Sequence, residues 1–104
     1  SKVSVIHTSE HDIITGVWKD GRIGNIRGNR CGNGNFGGTI FHESGSVFID
    51  VSQDKRGYYE CLVEQIIRMF DTGQSPVTRQ EMTEVVRFLE AAGESLTTGR
   101  EVVL

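Results

Sequence analysis

The sequence predicts an α+β domain, an antiparallel open sheet (meander) followed by two C-terminal helices packed on one face. Three observations predict it. Short β-branched and aromatic runs fill the first half of the chain, and apolar residues at helical spacing fill the second. Nine of the 13 glycines fall between positions 16 and 45, which breaks the first half into strand-length pieces rather than helices.

In chain order, residues 3–8 and 13–18 are β-branched runs bounded by turn residues. Asp20-Gly21 marks a two-residue hairpin, whose central residues need positive φ, leading into a strand over 22–27. Residues 36–41 and 46–51 form a second hairpin across Glu43-Ser44-Gly45. In its second strand Val47, Ile49 and Val51 alternate with Phe48 and Asp50, giving one apolar face. A sheet so patterned is covered on one face only. Tyr59, Leu62, Val63, Ile66, Ile67 and Phe70 follow helical spacing, and Gly73 is the stop. Thr78-Arg79-Gln80-Glu81 is a capping box for a second helix, with Val77 and Met82 placed as a hydrophobic staple. Met82, Val85, Val86, Leu89, Ala92 and Leu96 form its apolar stripe, Ala91-Ala92-Gly93 permits close approach of another element, and Gly99 ends it. Residues 101–103 add a final short strand. The whole is one domain, with sheet over 2–52 and helices over 56–98.

Composition narrows the function classes. The chain has 104 residues, 37% hydrophobic and 24% charged, and a net charge of −3. This length holds one domain with a modest core and excludes a complete dinucleotide-dependent enzyme of two domains. The acidic balance points away from nucleic acid and anionic membranes. No apolar run approaches the roughly 20 residues a membrane span needs, and no secretory signal is legible, so the expected compartment is cytoplasmic. The two cysteines, Cys31 and Cys61, read as reduced thiols.

Chemistry-bearing patterns are few. Gly32-Asn33-Gly34-Asn35-Phe36-Gly37 spells GxGxxG, but the next residues, Gly38-Thr39-Ile40-Phe41, are strand-like. No helix N-terminus therefore meets a pyrophosphate, and the segment reads as a loop. His7 and His11, with Asp12, have the i, i+4 spacing of metal ligands on a helix, whereas this stretch reads as strand and turn. His42 reads as a solvated hairpin residue, Cys61 as a small core residue, and Cys31 as an exposed thiol beside Arg30. Trp18 beside the Asp-Gly turn suits either an interface on the exposed sheet face or the core. Arg56 and Tyr58, where the first helix starts, are candidate contacts for an anionic or hydroxyl-rich ligand. No catalytic, cofactor-binding or metal-ligating set is complete.

Residues 70–77, Phe-Asp-Thr-Gly-Gln-Ser-Pro-Val, and 85–104, which include Glu90-Ala91-Ala92-Gly93-Glu94-Ser95 and Thr98-Gly99-Arg100-Glu101-Val102, resemble the C-terminus of the Gfo/Idh/MocA oxidoreductases. That family, named for glucose–fructose oxidoreductase and inositol dehydrogenase, similarly ends in a helix, a Gly-x-Pro-Val turn, a helix closing in Glu-Ala-Ala-x-x-Ser, and Thr-Gly-Arg-x-Val. Gly38-Thr39-Ile40-Phe41 and residues 45–50 resemble its paired sheet strands. The resemblance spans residues 39–104 and is most specific over 55–104. It implies most of a C-terminal domain on the substrate side of an NAD- or NADP-dependent enzyme acting on a sugar, polyol or related hydroxyl compound. The same likeness implies an open sheet face that pairs with a second subunit. The family's N-terminal Rossmann domain, its Glu-Lys-Pro lysine and its Asp/His pair have no counterpart in these residues, so no catalytic residue is carried over. The alternative is a free-standing, non-catalytic assembly or ligand-binding module of the same fold.

Overall fold

The computed structural model describes residues 1–32 and 34–104, and of Tyr58 the backbone alone. Its elements are strands β1 (Lys2–His7), β2 (His11–Val17), β3 (Ile23–Asn29), β4 (Gly37–His42) and β5 (Gly45–Asp50), a 3₁₀ turn over Val51–Gln53, helices α1 (Tyr58–Thr72) and α2 (Arg79–Thr98), and strand β6 (Val102–Val103). All strand pairing is antiparallel, and the architecture is α+β with two helices in the second half.

The strands are dealt into two sheets. One has the order β3-β2-β1-β6, and β4 pairs with β5 alone. The chain correspondingly divides into two compact units, Ser1–Asn33 with Val77–Leu104, and Gly34–Pro76. A single continuous meander would need β4 to add to β3. Gly24, Asn25, Arg27, Gly28 and Asn29 give β3 few of the cross-strand apolar pairs that stabilise a sheet. The apolar edge of β1 is instead taken by β6, so the chain end returns to its start: Lys2 pairs with Val103 and Val3 with Val102.

In the first unit, strand alternation puts Val3, Val5, Ile14 and Val102 on one face of the sheet. Helix α2 covers that face. Val3, at 1% exposure, packs with the buried Ala91 and Ala92, bordered by Val5, Ile14, Phe88 and Val102. The small Ala91 and Ala92 side chains let the helix come close to the strand, which is the approach expected of that pair. Beyond Val3, β1 has no strand partner on its β6 side among the described residues, and the Val5 N–H is satisfied instead by donating to the Ser95 Oγ of α2 at 3.0 Å. Ser95 is itself 1% exposed.

Toward β3 the same face is completed by Trp18. Its ring lies parallel to Phe88 at 5.9 Å between centroids, with the Arg22 guanidinium 5.8 Å from its own centroid. Gly16 and Gly24 form the floor beneath it. A Cβ on Gly16 would fall 2.6 Å from Phe88 Cε2 and 3.0 Å from two Trp18 ring carbons, and one on Gly24 would fall 3.3 Å from the Trp18 ring. Trp18 therefore packs, half-buried, on the helix-covered side of the sheet.

The loop between β2 and β3 differs from a two-residue turn. Trp18 N donates to Arg22 O, enclosing Lys19, Asp20 and Gly21, and Gly21 alone has positive φ, at 89°. A three-residue loop with one left-handed glycine serves where Asp20 is better used otherwise: its carboxylate accepts from the Arg22 backbone at 3.1 Å and from Arg22 Nε at 2.8 Å.

The helix signals are realised. Thr78 Oγ1 accepts from Glu81 N at 3.2 Å and the Glu81 carboxylate accepts from Thr78 N at 2.8 Å, closing the capping box. Gly73 and Gly99 take left-handed conformations as C-caps, donating to Met69 O and Ser95 O. In the second unit, β4 and β5 form a hairpin with Ile40 opposite Val47 and Thr39 opposite Phe48. Strand β5 stops at Asp50, whose Oδ1 accepts from Ser52 N and caps the 3₁₀ turn, so Val51 leaves the strand that its alternation predicts.

Two substitutions test this packing. Ser95→Ala strands a buried backbone donor and lowers unfolding free energy by about 1–3 kcal/mol. Gly16→Ala forces the Phe88–Trp18 stack apart, for a comparable loss, whereas Gly24→Ala costs less. Urea titrations of the three variants check the order.

Candidate functional site at the open sheet face

Because α2 covers one side of the four-stranded sheet, alternation turns the other half of each strand outward. On that open face, reading across β1, β2 and β3, Lys2 aligns with Val17 and Ile23, Ser4 with Thr15 and Asn25, and Ile6 with Ile13 and Arg27. Val103 of β6 extends the first row. Ile6, Ile13 and Ile23 are 66%, 41% and 67% exposed. Among them the Thr15 hydroxyl donates to Asn25 Oδ1 at 2.8 Å, tying β2 to β3. The face thus mixes exposed branched aliphatics with a fixed polar pair and two cations, a composition suited to contact with another protein surface or a hydroxyl-bearing ligand.

At one end of this face the β1–β2 turn meets the end of β3. The turn is tied by Thr8, whose N–H donates to His11 O at 2.8 Å and whose Oγ1 accepts from His11 N at 3.0 Å. Arg30 N donates to Glu10 O at 2.9 Å, carrying the β2–β3 ladder one step past the His11–Asn29 pair. Side chains on opposite faces of the sheet then form two groups. On the α2 side, His7 Nδ1 lies 2.6 Å from Asp12 Oδ1, and Arg30 pairs with the other carboxylate oxygen while its Nη1 donates to Thr8 O at 3.3 Å. The hydrogen bond from His7 first of all, joined by the positive charge and hydrogen bond of Arg30, outweighs the opposing effect of desolvation and holds the Asp12 carboxyl below its ordinary range.

On the open side, Glu10, His11 and Cys31 converge. Cys31 Sγ lies 3.7 Å from Glu10 Oε2 and 4.0 Å from His11 Nε2, and the histidine nitrogen lies 3.9 Å from the same carboxylate oxygen. Cys31 is held by its neighbour: its N–H donates to Asn29 Oδ1 at 3.2 Å, with the thiol 3.5 Å from the same atom. This is the group of potential metal donors found among the described residues.

His7 and His11 therefore point to opposite sides of the sheet, as period-two alternation dictates, and do not act as a pair. The cluster that does form unites residues 20 apart in sequence. The hairpin register is the signal that finds it once the loop is known to hold three residues: counting back from the Trp18–Arg22 pair places His11 beside Asn29 and Glu10 beside Arg30, with Cys31 next along, whereas a two-residue Asp20-Gly21 turn would set His11 against Arg30, one position off. Arg56 sits in the second unit, exposed, within 3.7 Å of Glu64 and 4.0 Å of Asp54, so its charge is already partnered. The Tyr58 side chain and Asn33 of the GxGxxG segment lie outside the described residues. Among the described residues that segment leads into β4, a strand, and no helix is long and apolar enough to cross a membrane. No protein-family model matches the chain, and neither a curated protein nor a solved structure matches it.

The Asp12 arrangement has a measurable pH signature. A carboxyl whose folded-state pKa is depressed adds stability that is present above its unfolded value, about 3.9, and is lost as the pH falls through the folded one. Asp12→Asn removes this contribution, so its unfolding free energy declines less steeply than the parent's below about pH 4. Equal acid slopes for the two proteins, measured by urea titration at successive pH values, contradict the assignment.

Proposed function

We propose that this chain is the substrate-side and oligomerisation domain of an NAD- or NADP-dependent oxidoreductase of Gfo/Idh/MocA type, acting on a sugar, polyol or related hydroxyl compound and not catalytic by itself. The observation that supports it is the sheet covered by α2 on one side alone, with Ile6, Ile13 and Ile23 exposed on the other. A face of this kind gains most when a second sheet packs about 10 Å away and removes the isoleucines from water. The resemblance of residues 70–77 and 85–104 to the family's C-terminal helix and strand supports the same reading. In this reading the nicotinamide cofactor and the catalytic lysine belong to a Rossmann domain supplied by other sequence. The polar pair Thr15–Asn25 and the cations Lys2 and Arg27 supply hydrogen bonding at the rim.

Assembly through the open face is tested by sedimentation equilibrium on the 104-residue chain. The expected result is a self-associating species for the parent. An Ile6→Lys, Ile23→Lys double variant should keep its far-UV circular dichroism and bind its partner at least tenfold more weakly, about 1.4 kcal/mol. A parent that stays folded and strictly monomeric at high concentration contradicts the reading.

A further inference from the structure

We propose that Glu10, His11 and Cys31 form a binding site for a divalent transition metal of borderline softness, with Zn²⁺ as the type ion. The donor set is a carboxylate oxygen, an imidazole nitrogen and a thiol sulfur, the three ligand classes zinc takes in proteins. A hard ion such as Mg²⁺ would not choose the sulfur, and a purely thiophilic one would not need the carboxylate.

The geometry agrees with the chemistry. Given separations of 3.7, 4.0 and 3.9 Å among Sγ, Nε2 and Oε2, the point equidistant from all three lies about 2.2 Å from each. Zinc bonds run at about 2.3 Å to sulfur and about 2.0–2.2 Å to nitrogen and oxygen. An ion therefore fits between the three atoms with displacements of a few tenths of an ångström, and a small rise out of their plane brings it toward tetrahedral coordination. Charge balances as well: the Glu10 carboxylate and a Cys31 thiolate neutralise a 2+ ion, the thiol exchanging its S–H for an S–metal bond and its proton passing to solvent.

The ligands are also held from the main chain. Thr8 ties the backbone of Glu10 and His11, Arg30 N–H ties Glu10 O, and Asn29 ties Cys31 N–H, so the three Cα positions are in place before an ion arrives. The far nitrogen of the His11 ring, Nδ1, is shielded from solvent and has no hydrogen-bond partner among the described residues. The ligands are themselves partly exposed, which leaves a fourth position open to water or to a donor atom from outside the chain.

The test is a Co²⁺ titration of untagged, reduced protein followed by absorbance, with Zn²⁺ competition. The expected result is one ion per chain, a thiolate-to-Co²⁺ charge-transfer band, its displacement by Zn²⁺, and protection of Cys31 from a thiol reagent by Zn²⁺. Cys31→Ser should abolish the band. His11→Gln and Glu10→Gln should each weaken binding at least tenfold. Cys61→Ser and His42→Ala, which alter a cysteine and a histidine elsewhere, should leave binding unchanged. A parent without a thiolate band at millimolar Co²⁺, or a band that survives Cys31→Ser and disappears in Cys61→Ser, overturns the proposal. Because none of these readouts depends on self-association, failure here is distinguishable from failure of the interface reading.

Discussion

The first unit depends on one requirement of β1: its backbone must be paired on both sides and its apolar face must be buried. Strand β6 supplies two residues of pairing, at Lys2 and Val3, and then ends. The next inward-facing residue, Val5, would be left with an orphan N–H under the helix, a cost comparable to a lost hydrogen bond. Ser95 resolves this by placing a hydroxyl where a strand carbonyl would otherwise be. That contact fixes α2 along the strand, because a shift of one residue would remove the acceptor and put Glu94 or Leu96 in its place. It also explains why Ala91 and Ala92 precede it: a larger side chain would hold the helix too far away for a serine to reach.

Close packing at one end of the helix leaves more room at the other, and Trp18 fills it. The stack on Phe88 is possible because Gly16 and Gly24 offer no Cβ beneath the indole. The apolar volume of the unit is therefore concentrated on one side of the sheet. The opposite side keeps its isoleucines in solvent and becomes the surface available for recognition. Both the proposed interface and the proposed metal site lie on it, the first across its middle rows and the second where β1, β2 and β3 reach the same end.

That end is ordered by main-chain bonds. The solvent-exposed pairs Lys2–Glu101 and Arg22–Asp20 lie at the opposite end of the strands and contribute little each. The Thr8 turn and the Arg30-to-Glu10 bond, by contrast, set where side chains emerge, and they bring a carboxylate, an imidazole and a thiol to within about one metal–ligand bond length of a common centre.

What the sequence determined by itself was local. Thr78 and Glu81 cap each other across three residues, and Gly73 and Gly99 stop helices because a left-handed C-cap suits a residue without Cβ. Strand alternation over 3–6 and 47–49 likewise needs nothing beyond its own period. Tertiary structure decided the division of strands into two sheets, the placement of β6 beside β1, the stacking of Trp18 on Phe88 on the helix-covered side, and the meeting of Glu10 and His11 with Cys31. Each of these is a choice among partners 20 to 100 residues apart. Such a choice turns on which cross-strand and helix–sheet contacts bury most with no polar group stranded, a comparison that no window of neighbouring residues contains.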